Sequence, residues 1–289
     1  MLRLTSIGLC LLTLLPCAPL LAYGVSLDFA EHLYDSGQYE DAITEYRRFA
    51  FLNPGSKSVS YAYYKMGLAY RNERQWDGSA LALEQSIRTA LNDSIRTERE
   101  ISLAVVTTAK GEFDLAEFQL IRIELYSRFP ALRRKAAFLR GINCLYQFKW
   151  EKARHAFQVC FEDTSQPFEF SQHASRIDSL ILLAEHSPQK NPNVAKWLST
   201  FLPGVGQFYA EDWRNGVNAL AINSATGYLF INNIAQHHWK DATMTYLFLF
   251  NRYYLGNKYH AAKSAGDFNR RVNEESAERI LDLFETNPE

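Results

Sequence analysis

Residues of like size recur every 37 positions along much of this chain, and that period limits the fold more than any other feature. From Ala30 the step lands on Gly67, Ala104 and Gly141, all small. From Tyr39 it lands on Trp76, Phe113 and Trp150, all aromatic. From Ala42 it reaches Ser79, Ala116 and Ala153, and from Tyr46 it reaches Leu83, Leu120 and Phe157. Within one unit Ala42, Tyr46 and Phe49 fall at helical spacing, and Phe29, Ala30 and Leu33 make a second apolar stripe. Gly37 supplies a turn between the stripes, and Asn53-Pro54-Gly55-Ser56 stops the second helix. Each unit therefore reads as a helix–turn–helix, with small residues allowing close approach and the aromatic after the turn filling the wedge. One hairpin cannot bury both stripes, so neighbouring hairpins must stack to make a core. The expected fold class is all-α, a solenoid of helical hairpins.

The unit Phe29-Ala30, Leu33, Gly37, Tyr39, Ala42, Tyr46, Phe49, Pro54 resembles the tetratricopeptide repeat. The resemblance covers about residues 25–165 in four units. Arg74 and Phe148 stand where the turn glycine belongs, Ser79 replaces an alanine, and Arg140 sits where an apolar residue is usual. A closing helix over 171–186, carrying Ile177, Leu180, Ile181, Leu182 and Ala184, extends the repeat region to about residue 187. The resemblance implies a groove lined by first-helix columns. These are Leu27, Tyr64, Ile101 and Phe138; Glu31, Leu68, Val105 and Ile142; and Tyr34, Arg71, Thr108 and Leu145. Two columns are mostly apolar, as suits a peptide or helix as binding partner. The same groove could equally be filled from within, by the closing helix or the tail.

The N-terminus reads as a secretory signal over residues 1–24. Arg3 precedes the apolar run Ile7–Leu21, and Ala22-Tyr23-Gly24 offers a cleavage site. An uncleaved anchor is the alternative, and Cys17 has a poor approach for lipid attachment because Leu14-Leu15-Pro16 precedes it. Export to an oxidising compartment raises the question of disulfides. Cys10 and Cys17 lie in the signal, leaving Cys144 and Cys160. At ~1.5 Å per residue their levels in an antiparallel hairpin differ by roughly 10 Å, too far for a bridge. Two free, buried thiols are expected.

Composition changes after Pro188. A polar linker over 189–193 leads to a hydrophobic helical region, about 188–271, and then to an amphipathic tail helix in 272–289 with Ile280, Leu281 and Phe284 on its apolar side. Pro203-Gly204-Val205-Gly206-Gln207-Phe208-Tyr209, with Gly216 soon after, resembles a Pro-Gly-x-Gly-Gln-x-Tyr segment of small bacterial membrane domains, including two-span hairpins. Tyr254-Leu255-Gly256-Asn257-Lys258-Tyr259-His260-Ala261 resembles a Tyr-x-Gly-Asn-x-Tyr-x-Ala block of exported repeat proteins. These resemblances imply a membrane-associating region whose motif residues are Pro203, Gly204, Gly206, Gln207, Tyr209, Gly256, Asn257 and Tyr259. Length and polarity pull apart, however. Gly216–Ala235 approaches the ~20 residues a span requires but carries Asn218, Asn223, Ser224, Asn232 and Asn233. Met244–Leu255 is short and contains Asn251 and Arg252. His237, His238, Trp239 and Lys240 suit a membrane interface. Lys258, Lys263, Arg270 and Arg271 favour a cytoplasmic tail, whereas a hairpin dipping in from outside would leave them on the other side.

A net charge of −1 gives no electrostatic case for nucleic acid. Gly204-x-Gly206 follows no strand, so it is no dinucleotide fingerprint, and no His-Glu-x-x-His or Cys-x-x-Cys pattern occurs. No cofactor or metal is expected. The sequence thus points to a non-catalytic interaction scaffold of the bacterial cell envelope, with repeats in the periplasm and the C-terminal region at the inner membrane. A soluble periplasmic assembly factor or chaperone is the first alternative. An enzyme with a polar cluster around Gln207, Tyr209 and Asn257 is the second.

Overall fold

The computed structural model describes residues 27–162 and 171–285. The expected signal over 1–24, including Cys17, lies outside the described residues. Among the described residues all regular structure is helical and no strand occurs. The chain divides into two compact units, one ending at Glu112 and the other beginning at Phe113.

In the first unit α1 (Leu27–Asp35), α2 (Tyr39–Leu52), α3 (Val59–Asn72), α4 (Trp76–Arg88) and α5 (Asp93–Ala109) each pack on their sequence neighbours. In the second, α6 (Phe113–Tyr126), α7 (Pro130–Tyr146), α8 (Trp150–Glu162) and α9 (Ala174–Glu185) do the same. There follow α10 (Pro192–Phe201), the short α11 (Val205–Tyr209), α12 (Trp213–Ala235), α13 (Trp239–Met244), a π-helical segment (Thr245–Phe250) and α14 (Asn251–Glu285). Thr245 and Asn251 keep right-handed helical dihedrals, so the π segment runs into α14 without a turn. Sequential packing of hairpins within each unit is the arrangement of a helical solenoid.

The repeat columns account for the hairpin cores. Tyr46, Leu83, Leu120 and Phe157 are all essentially buried, as are Ala42, Ser79, Ala116 and Ala153. A Cβ on Gly67 would lie 2.8 Å from Leu83 Cγ, and one on Gly141 would lie 2.6 Å from the Phe157 ring. The first small column is therefore small because the large column, one helix later, presses on it. The departures have partners. Ser79 Oγ donates to the Gly67 carbonyl at 2.7 Å, tying α4 to α3. Arg140, barely exposed, makes a two-pronged bond to Glu124 on α6 at 2.6 and 2.9 Å. A buried cation paired in this way is tolerated where a lone one would not be.

The turns repeat more strictly than the residues that make them. Gly37, Arg74, Gly111 and Phe148 stand one period apart, and all four have φ between 56° and 80°. In each case the next N–H donates to a carbonyl five residues back, from Gln38 to Leu33, Gln75 to Tyr70, Glu112 to Thr107 and Lys149 to Cys144. This closes the preceding helix with a left-handed cap that glycine enters most easily. Arg74 is exposed and carries about 1 kcal/mol of left-handed strain. Arg74→Gly should therefore raise stability by about 0.5–1 kcal/mol in chemical denaturation. A destabilised variant would show that the arginine side chain does more than occupy the turn.

Cys144 and Cys160 are free and fully buried, as their spacing predicts. Burial pushes the Cys144 thiol up to about 11 and the Cys160 thiol up to about 12. A neutral thiol stabilises the fold in full below the ordinary value of 9.0, and that stability drains away as pH climbs towards the folded values. Both cysteines should resist alkylation at pH 8 in the native protein and react once it is unfolded, as peptide mapping would register. Fast native-state labelling of either would contradict the burial.

Candidate functional site

The two C-terminal motifs, some 50 residues apart, meet in one buried polar network. Asn191 caps α10 by accepting from Asn193 N at 2.8 Å, and Gly204, with φ of 94°, turns the chain into α11. That turn places Gln207 inside, at 1% exposure. Its Oε1 accepts from Ser199 Oγ at 3.0 Å, and its Nε2 donates to Asn257 O at 3.2 Å and Oδ1 at 3.0 Å. Asn257 Oδ1 also accepts from Gly204 N at 3.1 Å, and its Nδ2 donates to the Ser199 carbonyl at 3.0 Å. Gly206 N completes the ring by donating to Ser199 Oγ at 2.9 Å. Both side-chain oxygens and three of the four side-chain amide hydrogens of the Gln207–Asn257 pair are thus engaged, so the cluster locks α10, α11 and α14 together.

The glycines of the first motif serve the same contact. A Cβ on Gly206 would fall 2.0 Å from the Ala195 carbonyl oxygen, and one on Gly204 would fall 2.4 Å from that of Gly216. Tyr209 lies apart from the amide cluster, its hydroxyl accepting from Asn191 N at 3.1 Å. Tyr259 points outward, two-thirds exposed. Ser199, which belongs to no nucleophile–base pattern in the sequence, is central here. The only available signal was its register one helical turn or two from the Pro203-Gly204 break.

Beside this lock lies a cavity of about 430 Å³ between α12 and α14, lined in part by Asn215, Asn218, Asn223, Arg252, Gly256 and His260. Asn223 is buried and donates to the Ala219 carbonyl at 2.8 Å, while its Oδ1 has no partner. At the near end Asp212 accepts from Asn215 Nδ2 at 2.7 Å and Ser264 Oγ at 2.8 Å. Burial alone would raise the Asp212 carboxyl, but these bonds, with the Arg271 charge, hold it below its ordinary range.

Outside the lock the region is strongly apolar. Trp197 and Phe201 on α10, Tyr228, Leu229 and Ile231 on α12, Trp239 on α13, and Leu247 and Phe248 on the π segment are all exposed, Phe201 to 81%. No helix among the described residues is long and apolar enough to cross a membrane.

The repeat columns divide between the two units. In the first unit Leu27, Glu31, Tyr34, Tyr64, Leu68, Arg71 and Val105 are half-buried, and Ile101 is buried. Their surroundings are more polar than the columns suggest. The Arg99 guanidinium stacks 3.4 Å over the Tyr64 ring, and Lys65 lies 4.0 Å over Tyr34. Burial first, and then a hydrogen bond to Glu31, push the Tyr61 hydroxyl up to about 12. The Tyr46 hydroxyl is buried without a partner.

In the second unit the expected groove residues are core. Phe138 and Leu145 are buried and Ile142 packs on the same cluster, which includes Ile177, Ile181, Ile280 and Leu283. The Phe284 ring sits 4.9 Å from that of Phe138, edge to face. The end of α14 therefore occupies the face of α7 that the columns assign to a partner. Phe138, Ile142 and Leu145 thus belong to the core, as in the reading in which the tail fills the groove, because α14 runs unbroken past residue 272 and delivers its apolar side there.

Among the described residues no group of three or more His, Cys, Asp and Glu side chains is placed to hold a metal ion. No protein-family model matches this sequence, and no curated protein matches it.

Proposed function

We propose that this chain is a non-catalytic interaction scaffold of the bacterial cell envelope, exported, with its tetratricopeptide-like hairpins holding a protein segment and its C-terminal region lying against the inner membrane. The observation that carries the reading is the exposed aromatic and aliphatic surface of α10, α12, α13 and the π segment. Monomeric proteins rarely leave large contiguous apolar patches in water, and exposed apolar side chains gathered on neighbouring helices point to partner or membrane contacts. Tryptophan and tyrosine within it suit the headgroup level of a bilayer. The absence of a crossing helix among the described residues favours a region that lies in the interface over one that spans it. The peptide-holding surface is proposed for α1, α3 and α5, where Tyr64, Leu68 and Arg99 sit, since the end of α14 covers the face of α7.

Flotation with liposomes tests the membrane part. The protein should rise with the vesicles, and Phe248→Glu with Trp239→Glu should leave it at the bottom of the gradient with its helical circular dichroism unchanged. Wild-type protein that stays in the soluble fraction, in flotation and in carbonate extraction of cells, would support instead a soluble assembly factor whose apolar face meets another protein.

A further inference from the structure

We propose that the cavity between α12 and α14 receives the headgroup of an anionic phosphoglycerol lipid. The inference rests on the membrane reading and adds to it a defined site and a ligand class. Four observations converge.

The first is charge. From Trp213 to Lys240, and again from Ala242 to Gly266, the sequence contains no Asp or Glu. Arg252 lines the cavity, and among the described residues it has no carboxylate partner. Lys258 and Lys263 follow on the same helix, and the carboxylate at the near end of the cavity, Asp212, is bonded to Asn215 and Ser264. A guanidinium with a free fork of donors matches phosphate oxygens.

The second is the unsatisfied acceptor. Asn223 is 5% exposed, lines the cavity, and leaves Oδ1 without a hydrogen bond. A buried acceptor of this kind costs about 1–3 kcal/mol unless a donor reaches it. An ionised phosphodiester or carboxylate alone offers no donor at neutral pH. A glycerol hydroxyl does, which selects an anion that also carries hydroxyls.

The third is Gly256. A helical glycine costs about 1 kcal/mol relative to alanine, yet a Cβ here would meet nothing within 4 Å. Packing therefore does not demand the glycine. What it leaves is open space in the cavity wall.

The fourth is the setting. Tyr228 and Leu229 on α12, and Leu249 and Leu255 across the π segment and α14, are exposed on the same helices. Acyl chains attached to the headgroup have apolar surface to follow out of the cavity.

The experiment uses the full chain and dihexanoyl phosphatidylglycerol below its critical micelle concentration, with binding read by tryptophan fluorescence and calorimetry. Dihexanoyl phosphatidylcholine and free glycerol phosphate are run beside it. Phosphatidylglycerol should bind about tenfold or more tightly than either. Arg252→Gln should remove the preference over phosphatidylcholine. Gly256→Leu, which fills the cavity from a position with room for a side chain, should weaken phosphatidylglycerol binding by a similar factor. Equal affinity for the two lipids overturns the proposal, as does full-strength binding by Gly256→Leu. Free glycerol phosphate binding as tightly as the lipid overturns the lipid assignment. Flotation on neutral vesicles by Gly256→Leu reports the membrane reading separately, so failure of the site and failure of that reading are distinguishable.

Discussion

Gly206→Ala is expected to cost about 4 kcal/mol or more, and to leave residues 190–270 loosely packed while the first unit stays folded. The new methyl group would sit 2.0 Å from the Ala195 carbonyl oxygen and 2.7 Å from the Ala261 methyl. Overpacking usually costs about 1–3 kcal/mol through strained side chains and backbone shifts, and occasionally more. Here the obstacle is main chain in the middle of α10, so the helix itself must retreat from α11 and α14. Retreat would also break the Gly206 N–H bond to Ser199. Gly256→Ala is the matched control, because its methyl group meets nothing within 4 Å and should add about 0.5–1 kcal/mol through helix propensity. Denaturant titration followed by tryptophan fluorescence, with Trp197, Trp213 and Trp239 in this region, reads both. Similar effects from the two substitutions would mean that α10 does not sit this close to α11.

Gln207→Ala should be nearly as damaging, by about 4 kcal/mol, through a different mechanism. Truncation leaves the Ser199 hydroxyl without its acceptor and removes two donors from Asn257, in a cluster almost fully buried beside the cavity. Each stranded group costs about 1–3 kcal/mol, and the vacated volume adds to that. Gln207→Glu would place an oxygen against the two Asn257 oxygens and should be no rescue. Tyr259→Ala, in the second motif beside Asn257 but two-thirds exposed, should change stability by less than about 0.5 kcal/mol. A Gln207→Ala protein with wild-type stability would refute a structural role for the cluster and return attention to chemistry at that residue.

The hairpins were legible because their signal is periodic. Size recurs in register with Ala30, Tyr39, Ala42 and Tyr46, and a stacked array needs that recurrence at every repeat. The left-handed turn at Arg74 and Phe148 was not legible from residue type, since neither favours positive φ. Position alone, one period from Gly37 and Gly111, marked it. The polar lock was half visible: Pro203, Gly204, Gly206, Gln207, Gly256 and Asn257 stood out as motif residues, but no local pattern says that Gln207 and Asn257 face each other across 50 positions. Ser199 carried no motif and emerged only with the backbone in place. For Phe138, Ile142 and Leu145 the sequence left two readings open, a partner or the chain's own tail, for a related reason. The repeat pattern describes what a face offers, and the segment that covers it lies more than 130 residues further along the chain. The cavity acceptor Asn223 was read as one of several asparagines in an apolar stretch, where only geometry separates the satisfied from the unsatisfied.

One helix begins at the apolar end and finishes inside the fourth repeat. At ~1.5 Å per residue the 35 residues of α14 make a rod about 50 Å long. Its first two turns hold both Arg252 and Gly256 beside the cavity and the Asn257 lock, and its last turns seat Ile280 and Phe284 against α7. A rod clamped near its front end is a lever with a short front arm and a long rear one. Any tilt forced on the front by what it touches must swing the rear, and the plug that closes α7 can be loosened without anything binding there.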